Sequence, residues 1–296
     1  MKSTLKELIA QGKTLVSDGA WGTFLHEKGL KSGECPEYWN IDHPEAVYEI
    51  AKGYIDAGAD TIETNSFGGN RFKLSAYGFG DQVFEINRKA AELSRKAAGN
   101  DKYVLGSIGP TGKMLILGDV TEMELYDAFR EQAMALYQGG ADALVIETMT
   151  DLDEATIAVR AARENTPCEV ICTMTFDHLQ SGEFRTMMGV SPTDMVHALK
   201  AAGADMIGAN CSNGIEGMIN ITEEIRSVDK EIPVLIHANA GLPVLKGTCT
   251  VFPESPEMMA TFAPRLAVAG ANIIGGCCGT TPEHIHLLSE VLKKKP

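Results

Sequence analysis

One phrase recurs four times along this chain: "AGADTIETNS" (57–66), "GGADALVIET" (139–148), "AAGADMIGANC" (201–211) and "VAGANIIGGCC" (268–278). Each copy runs Gly-Ala-Asp or Gly-Ala-Asn into a short apolar, β-branched stretch, the composition of a buried strand. The Gly closes a preceding helix, so each copy reads as helix end, turn and strand start. Four more apolar runs are interleaved with these, which predicts eight strands at 14–20, 60–67, 103–110, 143–149, 169–176, 206–212, 233–240 and 272–278. Between them lie amphipathic segments such as 44–58 and 121–140. Pro44 suits a first helical position, and Thr121 with Glu124 forms a capping box. Thr280, with Glu283 three residues on, is expected to cap the last helix in the same way.

Strand and helix alternating over the whole length predicts a parallel sheet. Eight such units in 296 residues fit a single α/β domain over residues 1–296, a (β/α)8 TIM barrel. A Gly-x-Gly-x-x-Gly run after the first strand is missing, which weighs against a doubly wound dinucleotide fold.

The repeats also predict where the chemistry sits. Five residues beyond each Asp or Asn stand Asn65, Glu147, Asn210 and Cys277; six beyond stand Ser66, Thr148, Cys211 and Cys278. Polar and thiol groups thus emerge at the C-terminal ends of alternate strands, where barrel enzymes carry their active sites. Cys211, Cys277 and Cys278 converging there predict a zinc site at the C-terminal ends of the strands, with Zn–S of about 2.3 Å. Three protein ligands and an open fourth position are the catalytic pattern, whereas structural sites use Cys-x-x-Cys pairs, which this chain lacks. The plainer readings are buried structural thiols, or a strained vicinal disulfide at Cys277-Cys278. Gly275 and Gly276 are read as releasing the strand so that both thiols face one ion, and Gly279 as turning the chain into the last helix. Cys35, Cys168, Cys172 and Cys249 are expected to be core or surface thiols, and His178 and His237 hydrogen-bonded scaffold.

Composition narrows the partners. A formal charge of −14 and a pI near 5.0 argue against a nucleic-acid groove or an anionic membrane surface. No apolar run approaches the ~18 residues that span a bilayer, and Lys6, Glu7, Gln11 and Lys13 interrupt any leader-like start. A cytoplasmic protein is the expectation.

Taken in order, "DGAWGT" (18–23), "ETNSFGGNRFKL" (63–74), "GSIGPTG" (106–112), "IETMTDLDEA" (146–155), "GANCS" (208–212), "NAGLP" (239–243) and "GGCCGTTPEHI" (275–285) resemble the homocysteine S-methyltransferase family. The likeness is strongest to the homocysteine-binding barrel of cobalamin-dependent methionine synthases. It implies that Cys211, Cys277 and Cys278 hold Zn2+ and that the open position takes the sulfur of L-homocysteine. Coordination to a cation deprotonates a thiol outright, which makes the bound sulfur a nucleophile. Glu147 matches the carboxylate that takes the α-ammonium; Asp18 adds charge there or simply shapes the turn before Gly19. Backbone N–H groups around Gly19, Ala20 and Thr23 are candidates for the α-carboxylate. Asn239 matches a position that lends an oxygen to zinc or touches the ammonium. Betaine-using relatives carry a tyrosine where this chain has Gly68.

The resemblance leaves the methyl donor open. An Asp-x-His-x-x-Gly cobalamin motif does not occur, since "DHLQSG" (177–182) sets Asp and His side by side. The expected donor is methylcobalamin or another methyl-corrinoid, carried by a separate corrinoid protein or cobalamin module. The chain is then a stand-alone protein or the first module of a longer one. S-methylmethionine or S-adenosylmethionine as donor, another small thiol as acceptor, and a non-catalytic zinc- or thiol-binding protein are the alternatives.

Overall fold

Eight short parallel strands close a ring in the structure, a computed structural model that describes residues 2–246 and 249–293. They are β1 (Leu15–Val16), β2 (Thr61–Glu63), β3 (Tyr103–Ile108), β4 (Ala143–Met149), β5 (Glu169–Met174), β6 (Met206–Asn210), β7 (Val234–Ala238) and β8 (Ile273–Gly276). Hydrogen-bonded neighbours follow chain order from β2 to β8, and β8 pairs with β1 at Leu15↔Ile273. The β1–β2 seam is closed differently. Asp60 N–H donates to the Val16 carbonyl at 2.6 Å, Val16 N–H donates to Asp60 Oδ2 at 3.1 Å, and Thr61 Oγ1 donates to Ser17 Oγ at 2.7 Å. Helices separate successive strands, and the fold is the predicted (β/α)8 barrel.

The recurring Gly-Ala-Asp phrase has a physical reason at the N-terminal rim. Gly58, Gly140, Gly203 and Gly270 all have φ between +95° and +117°, the left-handed conformation that ends a helix. The next acidic or amide side chain clamps the preceding odd strand. Asp60, Asp142, Asp205 and Asn272 accept the backbone N–H of Val16, Val104, Val170 and Val234, and their own N–H groups donate to the same four carbonyls. A cation then backs each clamp: Lys102 and Lys293 on Asp60, Arg95 and Lys2 on Asp142, Lys6 and Arg163 on Asp205, and Arg226 on Asn272.

Strand alternation fills the interior in layers. The lower ones are mostly apolar: Leu15, Leu105, Ile171 and Leu235 from odd strands, with Ala143, Met206 and Ile273 from even ones. The helix Leu5–Ala10 stoppers this end, with Leu5 in the same cluster and the N–H groups of Leu5 and Lys6 on the Glu169 carboxylate. Two residues further up, the layer reads Glu63, Val145, Gly208 and Gly275, with Ser107, Thr173 and His237 beside them. Above that come Asn65, Glu147, Asn210 and Cys277. The barrel turns from oil to polar chemistry within a single rise of the pleat.

Three expectations need correction. The strands are shorter than predicted, most of all at 14–20 and 60–67, where ladder pairing stops at Val16 and Glu63. Two small hairpins, Asp177–His178 with Phe184–Arg185 and Val244–Lys246 with Cys249–Val251, add antiparallel pairs above β5 and β7. Thr280 does not cap the last helix, Pro282–Lys293: the residue before its first turn is Thr281, whose N–H donates to His284 Nδ1 at 3.1 Å. Thr280 is buried instead, accepting from Ala20 N–H at 3.1 Å and donating to the Cys277 carbonyl at 2.7 Å. Among the described residues no helix is long and apolar enough to cross a membrane. The side chain of Cys249 lies outside the described residues.

Candidate functional site

The end of β7 is the mount for all three thiols. On one side, Cys211 N–H donates to the His237 carbonyl at 3.1 Å. On the other, Cys277 N–H donates to the Ala238 carbonyl at 2.7 Å, and Cys278 N–H to Asn239 Oδ1 at 3.1 Å. Ala240 N–H returns to the Cys278 carbonyl at 3.0 Å. A segment of four residues therefore sets the spacing between two chain regions far apart in sequence.

The thiols also depend on unusual backbone. Cys211 and Ser212 have φ of 62° and 56°, and Thr148, at the matching place in an earlier repeat, has 59°. Positive φ is strained for residues with a Cβ, and most for a β-branched one. Asn210 holds the strained pair together: its Oδ1 accepts from Thr148 N–H at 2.8 Å and its Nδ2 donates to Thr148 Oγ1 at 2.7 Å. Gly275 and Gly276 do not release the strand, as expected from sequence; they pair regularly with His237 and Ala238. They are glycine because a Cβ on Gly275 would lie 2.7 Å from Ser17 Cβ, and one on Gly276 would collide with Thr280. Gly279, at φ 79°, does make the turn.

The three sulfur atoms lie within 4.8 Å of one another, and Cys211 Sγ is 3.9 Å from Cys278 Sγ. A tetrahedral ion with metal–sulfur bonds of about 2.3 Å needs ligand sulfurs roughly 3.8 Å apart. Donor set and spacing both fit zinc. Hydrogen bonds from Cys277 and Cys278 pull Cys211 down to about 3, while the same bonds push Cys277 well up and Cys278 to about 11. The other thiols differ: burial pushes Cys35 up to about 12 and Cys168 to about 11, and Cys172 higher still.

The thiols open onto a cavity of about 300 Å³. Its walls include Gly19, Ala20 and Thr23 from the loop after β1, and Glu147 at the end of β4. Two residues expected at the site stand behind its wall. Asp18 is buried, its oxygens accepting from Ser17 Oγ at 3.0 Å, Trp21 Nε1 at 2.9 Å and Glu63 N–H at 3.0 Å. Asn239 is buried and spends its oxygen on Cys278. Ala20 N–H is committed to Thr280, so it is not free for a carboxylate; its carbonyl accepts from Tyr54 at 2.6 Å. Gly22 and Thr23 begin the helix Gly22–Glu27, whose first-turn N–H groups have no intrahelical partner.

Sequence reasoning passed over Glu63 and Ser107 and read His237 only as hydrogen-bonded scaffold; all three line the cavity. Ser107 Oγ donates to Glu147, and Asn210 Nδ2 lies 3.4 Å from the other Glu147 oxygen. Glu63 Oε1 is 3.3 Å from His237 Nδ1, and neither that oxygen nor His237 Nε2 has a hydrogen-bond partner. Burial, then repulsion between neighbouring carboxylates, pushes Glu63 and Glu147 well above the usual range. The signal in sequence was a carboxylate at the third place of an apolar strand, where the other repeats carry Val145, Gly208 and Gly275.

Residues 15–292 match the family model described as homocysteine S-methyltransferase. Methionine synthase of Mycobacterium leprae (strain TN) is 35% identical over 297 residues, covering 95% of this chain and 24% of that protein. The methionine synthase of Mycobacterium tuberculosis is 34% identical, covering 95% and 25%. This chain thus spans about a quarter of the length of the curated relatives it matches. The metallated form of the Escherichia coli homocysteine methyltransferase MmuM aligns with a TM-score of 0.79 at 24% identity, over 97% of this chain and 99% of that one. That likeness speaks to the fold.

Proposed function

Because the chain belongs to the homocysteine S-methyltransferase family, methyltransferases that act on homocysteine, we propose that this barrel binds zinc and L-homocysteine and methylates the thiol to give methionine. The observation that carries this reading is the thiol triad at zinc spacing on the wall of a cavity that also holds buried carboxylates. Cys211, Cys277 and Cys278 would hold the zinc ion. When bound, the zinc supplies a positive centre that keeps the substrate sulfur deprotonated at neutral pH.

The chain's own groups do the rest. Glu147, fixed by Ser107 and Asn210, faces the cavity to receive the α-ammonium. The free N–H groups at Gly22 and Thr23 suit the α-carboxylate. Asn239 keeps the Cys278 backbone in place, which helps to orient that sulfur. The substrate sulfur lone pair then forms the new S–CH3 bond, while the donor keeps the electron pair of the bond that breaks.

For the donor, we read a methyl-corrinoid carried on a protein. This is supported by the mouth of the barrel, whose loops expose Phe67 (43%), Ile116 (77%), Met187 (78%) and Leu242 (60%). These side chains follow β2, β3, β5 and β7, so all belong to the C-terminal face. Such apolar exposure suits contact with a large partner. The test is metal content together with a donor panel against L-homocysteine. One zinc per chain and turnover with methylcobalamin are expected. Turnover only with S-methylmethionine, S-adenosylmethionine or betaine would reject the corrinoid donor. Activity that survives complete chelation of zinc would reject the metal role.

A further inference from the structure

Among the described residues, Glu63 is the one cavity-lining carboxylate with a buried oxygen that has no hydrogen-bond partner. It lies in the interior layer below Glu147, is 7% exposed, and its Oε1 is buried without a hydrogen-bond partner. His237 Nδ1 lies 3.3 Å from it. Asp18 does not compete for a ligand: its oxygens are spent on Ser17, Trp21 and the Glu63 backbone, and it does not line the cavity. No lysine or arginine lines the cavity among the described residues, so no permanent side-chain cation stands between Glu63 and Glu147. Two buried carboxylates this exposed to each other's field are stabilised by a cation that reaches both. An ammonium has three N–H donors, enough for two carboxylates and a further acceptor.

We propose that Glu63, together with Glu147, binds the α-ammonium of the amino-acid substrate, with Asp18 holding the Glu63 backbone from behind. This rests on the homocysteine reading above. It moves the second ammonium ligand from Asp18, the residue expected from sequence, to Glu63. It also makes Glu63 a determinant of specificity: thiols without an amino group would leave its carboxylate buried and unpaired.

The test is calorimetric binding of L-homocysteine and of its des-amino analogue, 4-mercaptobutyrate, to the zinc-loaded chain. Wild type should prefer L-homocysteine. Glu63→Gln should weaken L-homocysteine by roughly tenfold or more, the scale of a lost charged hydrogen bond, and 4-mercaptobutyrate by less than about twofold. Equal weakening of both ligands, or of neither, overturns the proposal. Zinc content read on the same samples checks that the thiol site is intact. If Glu63→Gln does not hold zinc, Glu63→Asp decides: its preference for the amino-bearing thiol should fall below wild type, and an unchanged preference overturns the proposal. Wild type that fails to bind L-homocysteine at all defeats the functional reading instead, a separate outcome.

Discussion

Asn239 shows how much a thiol site owes to the residues that hold its cysteines in place. Its oxygen accepts the Cys278 N–H, and it sits in the segment that also carries the Cys211 and Cys277 hydrogen bonds. Asn239→Ala is expected to weaken zinc about 10- to 100-fold, measured by competition with a chromophoric chelator, because partners behind the ligands set their orientation. Cys278→Ala should go further and remove zinc and methyl transfer together; a variant with full activity and no zinc would sink the metal assignment. The thiols were legible in the sequence because their chemistry is carried by residue type and their convergence by the repeat. Glu63 was not, nor was the place of His237 on the cavity wall. A glutamate in a strand, or a histidine before "ANAG", acquires meaning only when the pleat turns it toward a shared interior. Asp18 erred the other way: a residue next to the site in sequence spends its oxygens on Ser17, Trp21 and the Glu63 backbone instead of the cavity.

At the level of strands and helices, the repeats were read for their upper ends, but each is anchored from below by an acidic or amide clamp. Asp60 is the most consequential, since it closes the β1–β2 seam. Burial pushes its carboxyl up, but Lys102, Lys293 and the Val16 N–H outweigh this and leave it below its ordinary 3.8. A lowered folded value means the stabilisation is complete above the unfolded value and is lost as pH falls through the folded one. Stability from this clamp should therefore decline as the pH falls below the ordinary carboxyl value of 3.8. Asn272 already performs the same backbone role without charge. Asp60→Asn should accordingly cost only about 1 kcal/mol at neutral pH in urea unfolding, and should remove this clamp's share of the acid sensitivity. Element boundaries were the least legible feature. Predicted strands ran on past Val16 and Glu63 because single backbone bonds do too: Ser17 N–H donates to the Ile274 carbonyl at 2.9 Å, Gly276 N–H to the Asp18 carbonyl at 2.8 Å and Thr64 N–H to the Leu105 carbonyl at 3.1 Å, beyond the regular ladder. The hairpins above β5 and β7 were missed because polar runs such as "DHLQSGEFR" carry no periodicity that separates a short exposed hairpin from a loop.

The molecule as a whole divides into a sealed lower end and an open upper one. If the apolar mouth receives a protein-borne donor, Ile116→Glu with Met187→Glu should lower turnover with a corrinoid protein about tenfold or more. The same variant should leave turnover with free methylcobalamin nearly unchanged; an equal loss with both donors would mean that the mouth shapes the site rather than docks a partner. The barrel itself was legible from alternation alone, since eight strand–helix units of this length have few other ways to bury their apolar faces. The position of the described ends was not. Lys2 reaches the Lys102 carbonyl and Asp142, and Lys293 reaches Asp60 and the Gly58 carbonyl, so both ends leave from the lower rim. Tethered to a surface through either end, the barrel would stand with its thiols facing the solution, like a cup set on its base.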